Sequence, residues 1–328
     1  MNLNSKYSLL AFVALSLFGT TSCQKEEDTL PTIAAIAVTN ADFSTLEDAA
    51  VQGGVAVVLS NPNPGDPSGD FTVFAPNNAA FSRLGLNNGN DLKVLNDAFL
   101  TSTLLYHVSN GNLAGNSLSD GSTSGSALGP NRRFIVRGPD TYINGSKILA
   151  TDISAENGTV HVIDKVLLAT GADIVQSALA LTDSKVFNSP ELTFLVEALI
   201  YCELTGALTG SAGSPSFTVF APTDAAFKQL GLDLGVALNV PADIRQLPKE
   251  VVTAVLLNHV IADGGKFTSE MNAGMVTPLG GTALTLGAFN QGILSIQGNS
   301  NSTVANMVIP DVLTTNGVVH VIDRVLLP

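Results

Sequence analysis

One unit of sequence is written twice in this chain, and that repeat limits the possible folds more than any other feature. Residues 71–81 recur at residues 217–227 with nine of eleven positions identical. Residues 157–168 recur at residues 316–327 with ten of twelve positions identical. Matches of this length in a chain of 328 residues predict two domains of one fold, each large enough to bury its own core.

A shorter match lies between these two blocks. The run Leu-Leu-Tyr-His-Val at residues 104–108 corresponds to Leu-Leu-Asn-His-Val at residues 256–260. The offset between matched residues grows from 146 to 152 to 159 along the unit. The second copy therefore contains insertions of 6 and 7 residues, which we assign to loops near residues 239–248 and within residues 264–316.

The first block of each copy predicts a strand followed at once by a helix. Aromatic and β-branched residues fill the strand, and a proline ends it. Asn77 or Thr223 then caps the helix, and Asp224 favours its positive amino-terminal end. Capping explains the polar residues at this corner before any chemistry is invoked. The residues assigned to this structural motif are Phe74, Pro76, Phe220, Pro222, Thr223 and Asp224.

The last block of each copy predicts a tight Asn-Gly turn that enters a strand. A period of two places Val160, Val162 and Asp164 on one face of that strand. His161 and Ile163 then lie on the other face, with the histidine half-buried among apolar neighbours. The aspartate is expected to accept backbone hydrogen bonds or to pair with a cation, and the same roles are expected of His320 and Asp323 in the second copy.

All four histidines of the chain occupy matched positions in the two copies. A metal site built from His107, His161 and Asp164 is one interpretation. A hydrogen-bonded core role is the preferred one, because a histidine within an apolar strand usually fixes a loop. A pH-sensitive contact is a third interpretation. No metal ligand set is assigned.

Apolar residues at helical spacing predict helices over residues 46–59, 92–105, 192–208 and 244–257. These stripes are interpreted as faces that pack on the core rather than as a cofactor site. Cys202 lies in the third stripe and is expected to be a buried, unpaired thiol.

The sequence contains no arrangement that we would assign to catalysis. Its glycine-rich stretches lack the Lys-Ser/Thr end of a phosphate-binding loop, and no Gly-x-Ser-x-Gly nucleophile motif is present. Asp164 and Asp323 are single, whereas glycoside hydrolysis needs two carboxylates across a cleft. We therefore predict a protein that is not an enzyme and that has no cofactor.

Composition excludes further classes of function. There are 28 acidic and 15 basic side chains, giving a net charge of −13, so nucleic-acid binding has almost no basic surface to use. The absence of tryptophan and an aromatic content of 6% make aromatic platforms for sugar stacking rare. The hydrophobic content of 45% with only 13% charged residues predicts a folded chain.

The amino terminus has the pattern of a secretory signal peptide over residues 1–22, with one lysine, a short apolar run and small residues. Cys23 follows directly and resembles the acylation site of bacterial lipoproteins, although Thr20 stands where leucine is commonest. Acyl chains on Cys23 would place membrane lipid among the partners. The alternative is an ordinary secretory signal with a cysteine that follows it by chance.

The acidic run at residues 24–28 resembles the tract that exports some lipoproteins to the outer face of the outer membrane. A plain solvated tether is the other interpretation. We expect residues 23–40 to form a flexible acidic tether and the protein to be an outer-membrane lipoprotein exposed on the cell surface. A periplasm-facing position is the alternative.

The repeated blocks, with the Tyr-His element between them, resemble the two conserved motifs of the fasciclin domain. The resemblance implies an α+β fold with two tandem domains, at residues 41–168 and 172–328. Each would be a β-sandwich or wedge of short strands with helices packed around it. The connection between the copies, residues 169–172, is so short that the domains are expected to touch.

The same resemblance implies adhesion, with an extracellular protein or glycan as partner and self-association as a further mode. It marks Tyr106 and His107 as contact residues, together with Asn258 and His259, although the asparagine departs from the family pattern. A second interpretation is a surface or periplasmic protein that binds a small glycan or lipid in an apolar pocket.

Overall fold

The computed structural model describes residues 29–182, 191–209 and 216–328. The predicted signal peptide, Cys23 and the acidic run at 24–28 lie outside the described residues and stay predictions.

The first domain begins with helices, and its central sheet follows. Its helices are α1 (Ile33–Thr39), α2 (Ser44–Gln52), α3 (Ala56–Leu59), α4 (Asn78–Ser82), α5 (Gly89–Leu92) and α6 (Asp97–Tyr106), with 3₁₀ turns at Ala41–Phe43 and Gly115–Ser117. Its strands are β1 (Phe71–Pro76), β2 (Val108–Asn110), β3 (Thr123–Gly125), β4 (Asn131–Arg137), β5 (Asp140–Ile143), β6 (Ser146–Ala155) and β7 (Gly158–Ile163). Strand β8 (Leu168–Ala169) leads out of the domain.

The two repeated blocks lie side by side in the sheet. The strand order is β2-β1-β7-β6-β5-β4-β3, and β1 and β7 form its parallel pair. Gly158 faces Phe71 there so closely that a Cβ atom on Gly158 would overlap the backbone of Phe71. Asn157 accepts from the Ile33 amide at 2.9 Å and donates to two backbone carbonyls, which joins the turn to the helical layer. The Asn-Gly pair therefore serves close packing as well as the turn.

The second domain repeats this architecture. Its helices are α7 (Ile174–Leu181), α8 (Thr193–Tyr201), α9 (Thr205–Leu208), α10 (Asp224–Leu234) and α11 (Lys249–Leu257), with 3₁₀ turns at Pro241–Gln246 and Thr268–Glu270. Its strands are β9 (Phe217–Pro222), β10 (Val260–Ile261), β11 (Gly274–Val276), β12 (Leu284–Leu286), β13 (Ser295–Gln297), β14 (Ala305–Thr314) and β15 (Gly317–Ile322). The order β10-β9-β15-β14-β13-β12-β11 matches that of the first sheet, again with a parallel pair of repeated blocks, β9 and β15.

Hydrophobic cores lie on both faces of each sheet. In the first domain Val160 packs toward the helices, whereas Ile163 belongs to the cluster on the opposite face with Phe74 and Phe134. The predicted alternation along β7 is confirmed. His161 is not half-buried as expected but 0% exposed, because its ring stacks on Phe74 at 5.2 Å between centroids.

The predicted tether is too long at its carboxyl end. Within the predicted tether, Ile33–Thr39 form α1. Thr32 caps this helix by accepting from the Ala35 amide at 3.2 Å. Ile33 is only 4% exposed and belongs to the core. Helix α7 stands at the matching place in the second copy and begins after the cap Asp173. Residues 33–40 therefore belong to the first domain.

Backbone breaks divide some of the predicted helices. The stretch 46–59 becomes α2 and α3, since Gly54 adopts a φ of +71° between them. The stretch 244–257 divides at Pro248 into a 3₁₀ turn and α11. Cys202 is buried and free, as expected.

The two domains touch, as the short connection predicts. Strand β8 pairs in parallel with β14, with Leu168 opposite Val312 and Ala169 opposite Leu313. The last strand of the first domain thus extends the sheet of the second.

Candidate functional site

The four residues expected to contact a partner are buried. Tyr106 and Asn258 are 0% exposed, and His107 and His259 are 2% exposed. A side chain with no accessible surface offers nothing to an extracellular protein or glycan, so the expected contact role is wrong. The reason is positional: each pair ends the helix, α6 or α11, that packs on the core and leads into the sheet.

His107 and His259 each form a hydrogen bond with the last repeated block of their own domain, residues 157–168 or 316–327. His107 Nε2 accepts from the Leu167 amide at 2.9 Å, so its Nδ1 carries the proton donated to Thr103 O at 2.7 Å. His259 makes the same pair of bonds, to the Leu326 amide and to Val255 O. Burial lowers the pKa of each to about 4. These rings are neutral connectors between a helix end and the final strand segment.

The residue before each histidine packs inside the sheet. Asn144 Nδ2 donates to the Tyr106 hydroxyl at 2.5 Å, and burial raises the pKa of Tyr106 to about 12. In the second domain Asn258 donates to Leu326 O at 3.4 Å. The Tyr-to-Asn difference between the copies is therefore a difference in core packing.

The second pair of histidines holds a bulge in the neighbouring strand. His161 Nδ1 accepts from the Asp152 amide at 3.3 Å, and His320 Nδ1 accepts from the Asp311 amide at 3.1 Å. Both aspartates have positive φ, +61° and +67°, which shapes the bulge. Burial lowers the pKa of both histidines. Across the described ranges, no group of three or more His, Cys, Asp or Glu is placed to hold a metal ion.

The motif aspartates accept from backbone, as the sequence suggested. Asp164 Oδ1 accepts from the Lys147 amide at 2.7 Å, and its Oδ2 lies 3.4 Å from Arg83. Asp323 accepts from the Asn306 amide at 2.7 Å. Each therefore fastens two adjacent strands.

The corner residues of the first block are also structural. Thr223 accepts from the Ala226 amide at 3.1 Å, which caps α10. Asp224 does more than favour the helix start: it accepts from the Phe194 amide at 3.0 Å and from the Thr193 hydroxyl at 2.6 Å. This carboxylate joins α10 to α8.

Sequence reasoning missed a buried ion pair between the domains. Lys165 Nζ lies 2.5 Å from Asp311 Oδ2, with side-chain exposures of 8% and 6%. The same ammonium donates to Gly292 O at 2.8 Å, while Asp311 also accepts from the Thr268 amide at 2.6 Å. The pair thus has partners on both sides, as a buried pair requires.

Two arginines of the first domain also reach across to the second. Arg133 lies 2.9 Å from Glu270 and stacks over the Phe267 ring. Arg137 donates to Met271 O at 2.6 Å and stacks over Phe289 at 4.1 Å from the centroid. Such guanidinium contacts combine charge with a large apolar area. These contacts join the two domains through charged and aromatic side chains.

One signal of this contact exists in the sequence. Lys165 matches Arg324, and Asp311 matches Asp152, so both copies carry the same charge at the same place. In the first domain Asp152 is exposed and accepts from the Gly115 amide at 2.8 Å. Only the connection between the copies brings Lys165 to Asp311.

The second domain carries an apolar groove that is much smaller in the first. Between α10 and α11 it has a volume of about 460 Å³, against about 30 Å³ at the matching place in the first domain. Leu234 and Val251 on its walls are 50% and 53% exposed. Residues near the predicted insertion at 239–248 build one side, including Ile244 and Leu247. This groove is the candidate functional surface.

None of the helices described by the structure is long and apolar enough to cross a membrane.

Comparison with known proteins places the fold. A model of the fasciclin domain matches residues 41–169 and 190–328. Human periostin is 30% identical over 263 residues, which is 79% of this chain but 28% of periostin. The transforming growth factor-beta-induced protein ig-h3 of Sus scrofa is 29% identical over 264 residues, or 79% of this chain and 35% of that protein. This chain thus spans about a third of either relative.

Among solved structures, a domain pair of the insect cell adhesion molecule fasciclin I matches with a TM-score of 0.39 and 18% identity. The match covers 87% of this chain and 97% of that one.

Proposed function

The chain belongs to the fasciclin domain family, and from this premise we propose that it is a non-catalytic adhesion or interaction protein of the cell surface. Its partner is an extracellular protein. The family supports the proposal, because fasciclin domains occur in adhesion-related proteins such as periostin and ig-h3. The family relatives are longer than this chain, so adhesion is carried over from the domain and not from a whole relative.

The observation that carries the proposal is the buried contact between the domains. Domains within a chain move relative to one another unless the interface between them is extensive. Here the pair Lys165–Asp311 is buried, and two arginines stack on aromatic rings beside it. A fixed pair presents two surfaces at a constant separation, which favours simultaneous contact with a large partner.

The groove between α10 and α11 is the surface we assign to the partner. Apart from Glu250 its lining side chains are apolar, so the hydroxyl groups of a glycan would find few hydrogen bonds there. An apolar segment of a protein partner would bury Leu234 and Val251, which are half-exposed in the free chain. A protein therefore fits the groove better than a glycan.

Anchoring through Cys23 completes the proposal. Nine residues, 24–32, separate Cys23 from the start of α1, so this segment spans at most roughly 36 Å when fully extended. A lipid on Cys23 would therefore keep the first domain close to the membrane surface. We assign the outer face of the outer membrane, as the acidic run 24–28 suggests.

Binding to immobilised matrix proteins tests the contact surface. The double variant Leu234→Asp, Val251→Asp places two charges in the groove and is expected to lose binding to any matrix protein that the wild type binds. The control is Val94→Asp, since Val94 lies in the first domain with a comparable exposure of 48%. A folded double variant that binds like the wild type, or a wild type that binds no matrix protein, contradicts the proposal.

Anchoring and display need a separate measurement. Cys23→Ser should release the protein from the membrane fraction, and protease added to intact cells should degrade the wild type. If the protease spares the protein on intact cells but not on lysed cells, external display is wrong.

A further inference from the structure

Each domain encloses an apolar cavity at the same place. In the first domain it lies between α1, α2 and the strands β1 and β7, with a volume of about 70 Å³. In the second it lies between α7, α8 and the strands β9 and β15, again with about 70 Å³. Matched residues line both, among them Ile33 and Ile174, Leu59 and Leu208, and Val160 and Val319. The cavity therefore belongs to the repeated unit and not to one irregular loop.

The lining selects against water and polar ligands. A water molecule needs roughly 10–15 Å³ of such volume and two to four polar partners. His107 borders the first cavity, but both of its ring nitrogens are already hydrogen-bonded. Ser177 borders the second, and its hydroxyl donates to Thr170 Oγ1 at 2.7 Å. By the same measure each cavity accommodates roughly five groups the size of a methylene.

An alkyl chain fits this space because it gains contacts on every side. Dispersion contacts with the surrounding Leu, Ile and Val side chains and the removal of methylenes from water both favour its binding. A charged group would lose its hydration without gaining a polar partner. The lining therefore favours the end of an aliphatic chain.

The first helix of each domain forms one wall of the cavity. Helices α1 and α7 contain seven and eight residues, so they depend on packing for their stability. Residues Ala34, Ile36 and Ala37 of α1 are partly buried against the core, while Val38 is 61% exposed. Displacement of this short helix is therefore the entry route we expect for an alkyl chain, with the polar end of the ligand left outside.

Charge limits the polar end of the ligand. The chain has a net charge of −13, and Glu47 lines the first cavity. A free carboxylate at the entrance would be repelled, whereas an uncharged hydroxyl, ester or amide would not. We propose that each domain binds the alkyl end of a neutral amphiphile, about five or six carbons long, beneath its first helix. This site is separate from the groove assigned to the protein partner.

Two alanines allow the cavities to be filled one at a time. Ala37 and Ala178 lie four residues after Ile33 and Ile174, so they occupy matching positions, and both line their cavity. Ala37→Leu and Ala178→Leu add three carbons to the interior while keeping a strong helix former. The controls Ala35→Leu and Ala180→Leu make the same change on the same helices at positions that do not line the cavities.

The test is a titration of residues 24–328, free of detergent, with 1-hexanol, followed by methyl NMR. We expect two sites for each chain, with shifts concentrated on the lining methyl groups. Each filling variant should weaken its own site at least about tenfold, a difference of one decade in affinity, and the double variant should lose both sites. The two control variants should bind like the wild type.

Comparison ligands separate this site from general solvent effects. 1,6-Hexanediol has the same chain with a second hydroxyl that would be buried, and hexanoate has a charged head, so both should bind more weakly. Three results would each overturn the proposal. The first is that the lining methyl groups do not respond to 1-hexanol, and the second is that they respond equally to the diol. The third is that the folded filling variants bind like the wild type.

Discussion

Replacing Lys165 by methionine should destabilise the contact between the domains strongly. The ammonium of Lys165 lies 2.5 Å from Asp311 Oδ2 and also donates to Gly292 O, and both charged side chains are less than a tenth exposed. Methionine keeps most of the volume but leaves the carboxylate buried without its cation. Breaking a buried pair in this way costs about 3–5 kcal/mol.

The assay is urea denaturation followed by circular dichroism. Arg83→Met is the control, because Arg83 pairs with Asp164 at 3.4 Å while 40% exposed, and an exposed pair contributes about 0–1 kcal/mol. The double variant Lys165→Met, Asp311→Asn removes both charges. Asparagine tolerates the positive φ of +67° at this position and still accepts from the Thr268 amide.

Three results would support this reasoning together: a large loss for Lys165→Met, a small loss for Arg83→Met, and partial recovery in the double variant. If Lys165→Met loses no more stability than the control, the ion pair does not hold the domains. If Asp311→Asn fails to restore part of the loss, an unpaired buried carboxylate is not its cause.

Three further predictions concern other positions. A Cβ atom added to Gly138 (φ +60°) would meet open space, whereas one added to Gly145 (φ +80°) would overlap the buried carboxylate of Asp311 at the domain interface. Gly145→Ala should therefore lose about 1–3 kcal/mol more than Gly138→Ala in urea denaturation, and equal losses would contradict the packing described. His107 and His259 have a folded pKa of about 4 against 6.5 in the unfolded chain. Because the unfolded chain takes up these protons first, stability present above pH 6.5 is lost as pH falls toward 4, by about 3 kcal/mol for each ring. Urea midpoints measured across this range test it, and a flat profile refutes it. Cys202 is 7% exposed and is the one cysteine in a protein of residues 24–328. A thiol reagent should therefore modify that protein only at the rate at which the second domain opens. Modification at the rate of a free cysteine would show that the thiol is accessible.

The repeat made the domain count and the main strands predictable. Two blocks rich in aromatic and β-branched residues predict strands wherever they occur, and these became β1, β7, β9 and β15. Their parallel pairing was not predictable from either block alone, because strands far apart in sequence pair through tertiary packing. The capping roles of Asn77 and Thr223 were predictable, since a cap depends on neighbours three residues away.

Burial of the Tyr-His element was not predictable from its sequence. Tyr106 and His107 look like exposed polar residues at the end of a helix, but α6 turns them into the sheet. His107 meets Leu167 from 60 residues away, and that distance is closed only in the folded domain. A resemblance that marks a contact residue carries no information about the direction of its side chain.

Identical short sequences also adopt different structures in the two copies. The tripeptide Leu-Gly-Leu occurs at residues 84–86 and 230–232. Gly85 has a φ of +76° after the end of α4, whereas Gly231 lies inside α10, which continues to Leu234. In the second copy the segment that follows is longer, and its Leu238 is buried against Gly231. Helix α10 therefore continues to Leu234, which lines the groove.

The sequence by itself determined that this chain has two copies of one domain and that its strands and caps recur in both, and its acidic charge predicts that nucleic acid is not its partner. These properties follow from local pattern and net charge. Only the tertiary structure decided which polar residues are buried, how Lys165 meets Asp311, and where the groove and the paired cavities lie. Those features depend on contacts between segments far apart in the chain, which local pattern does not encode.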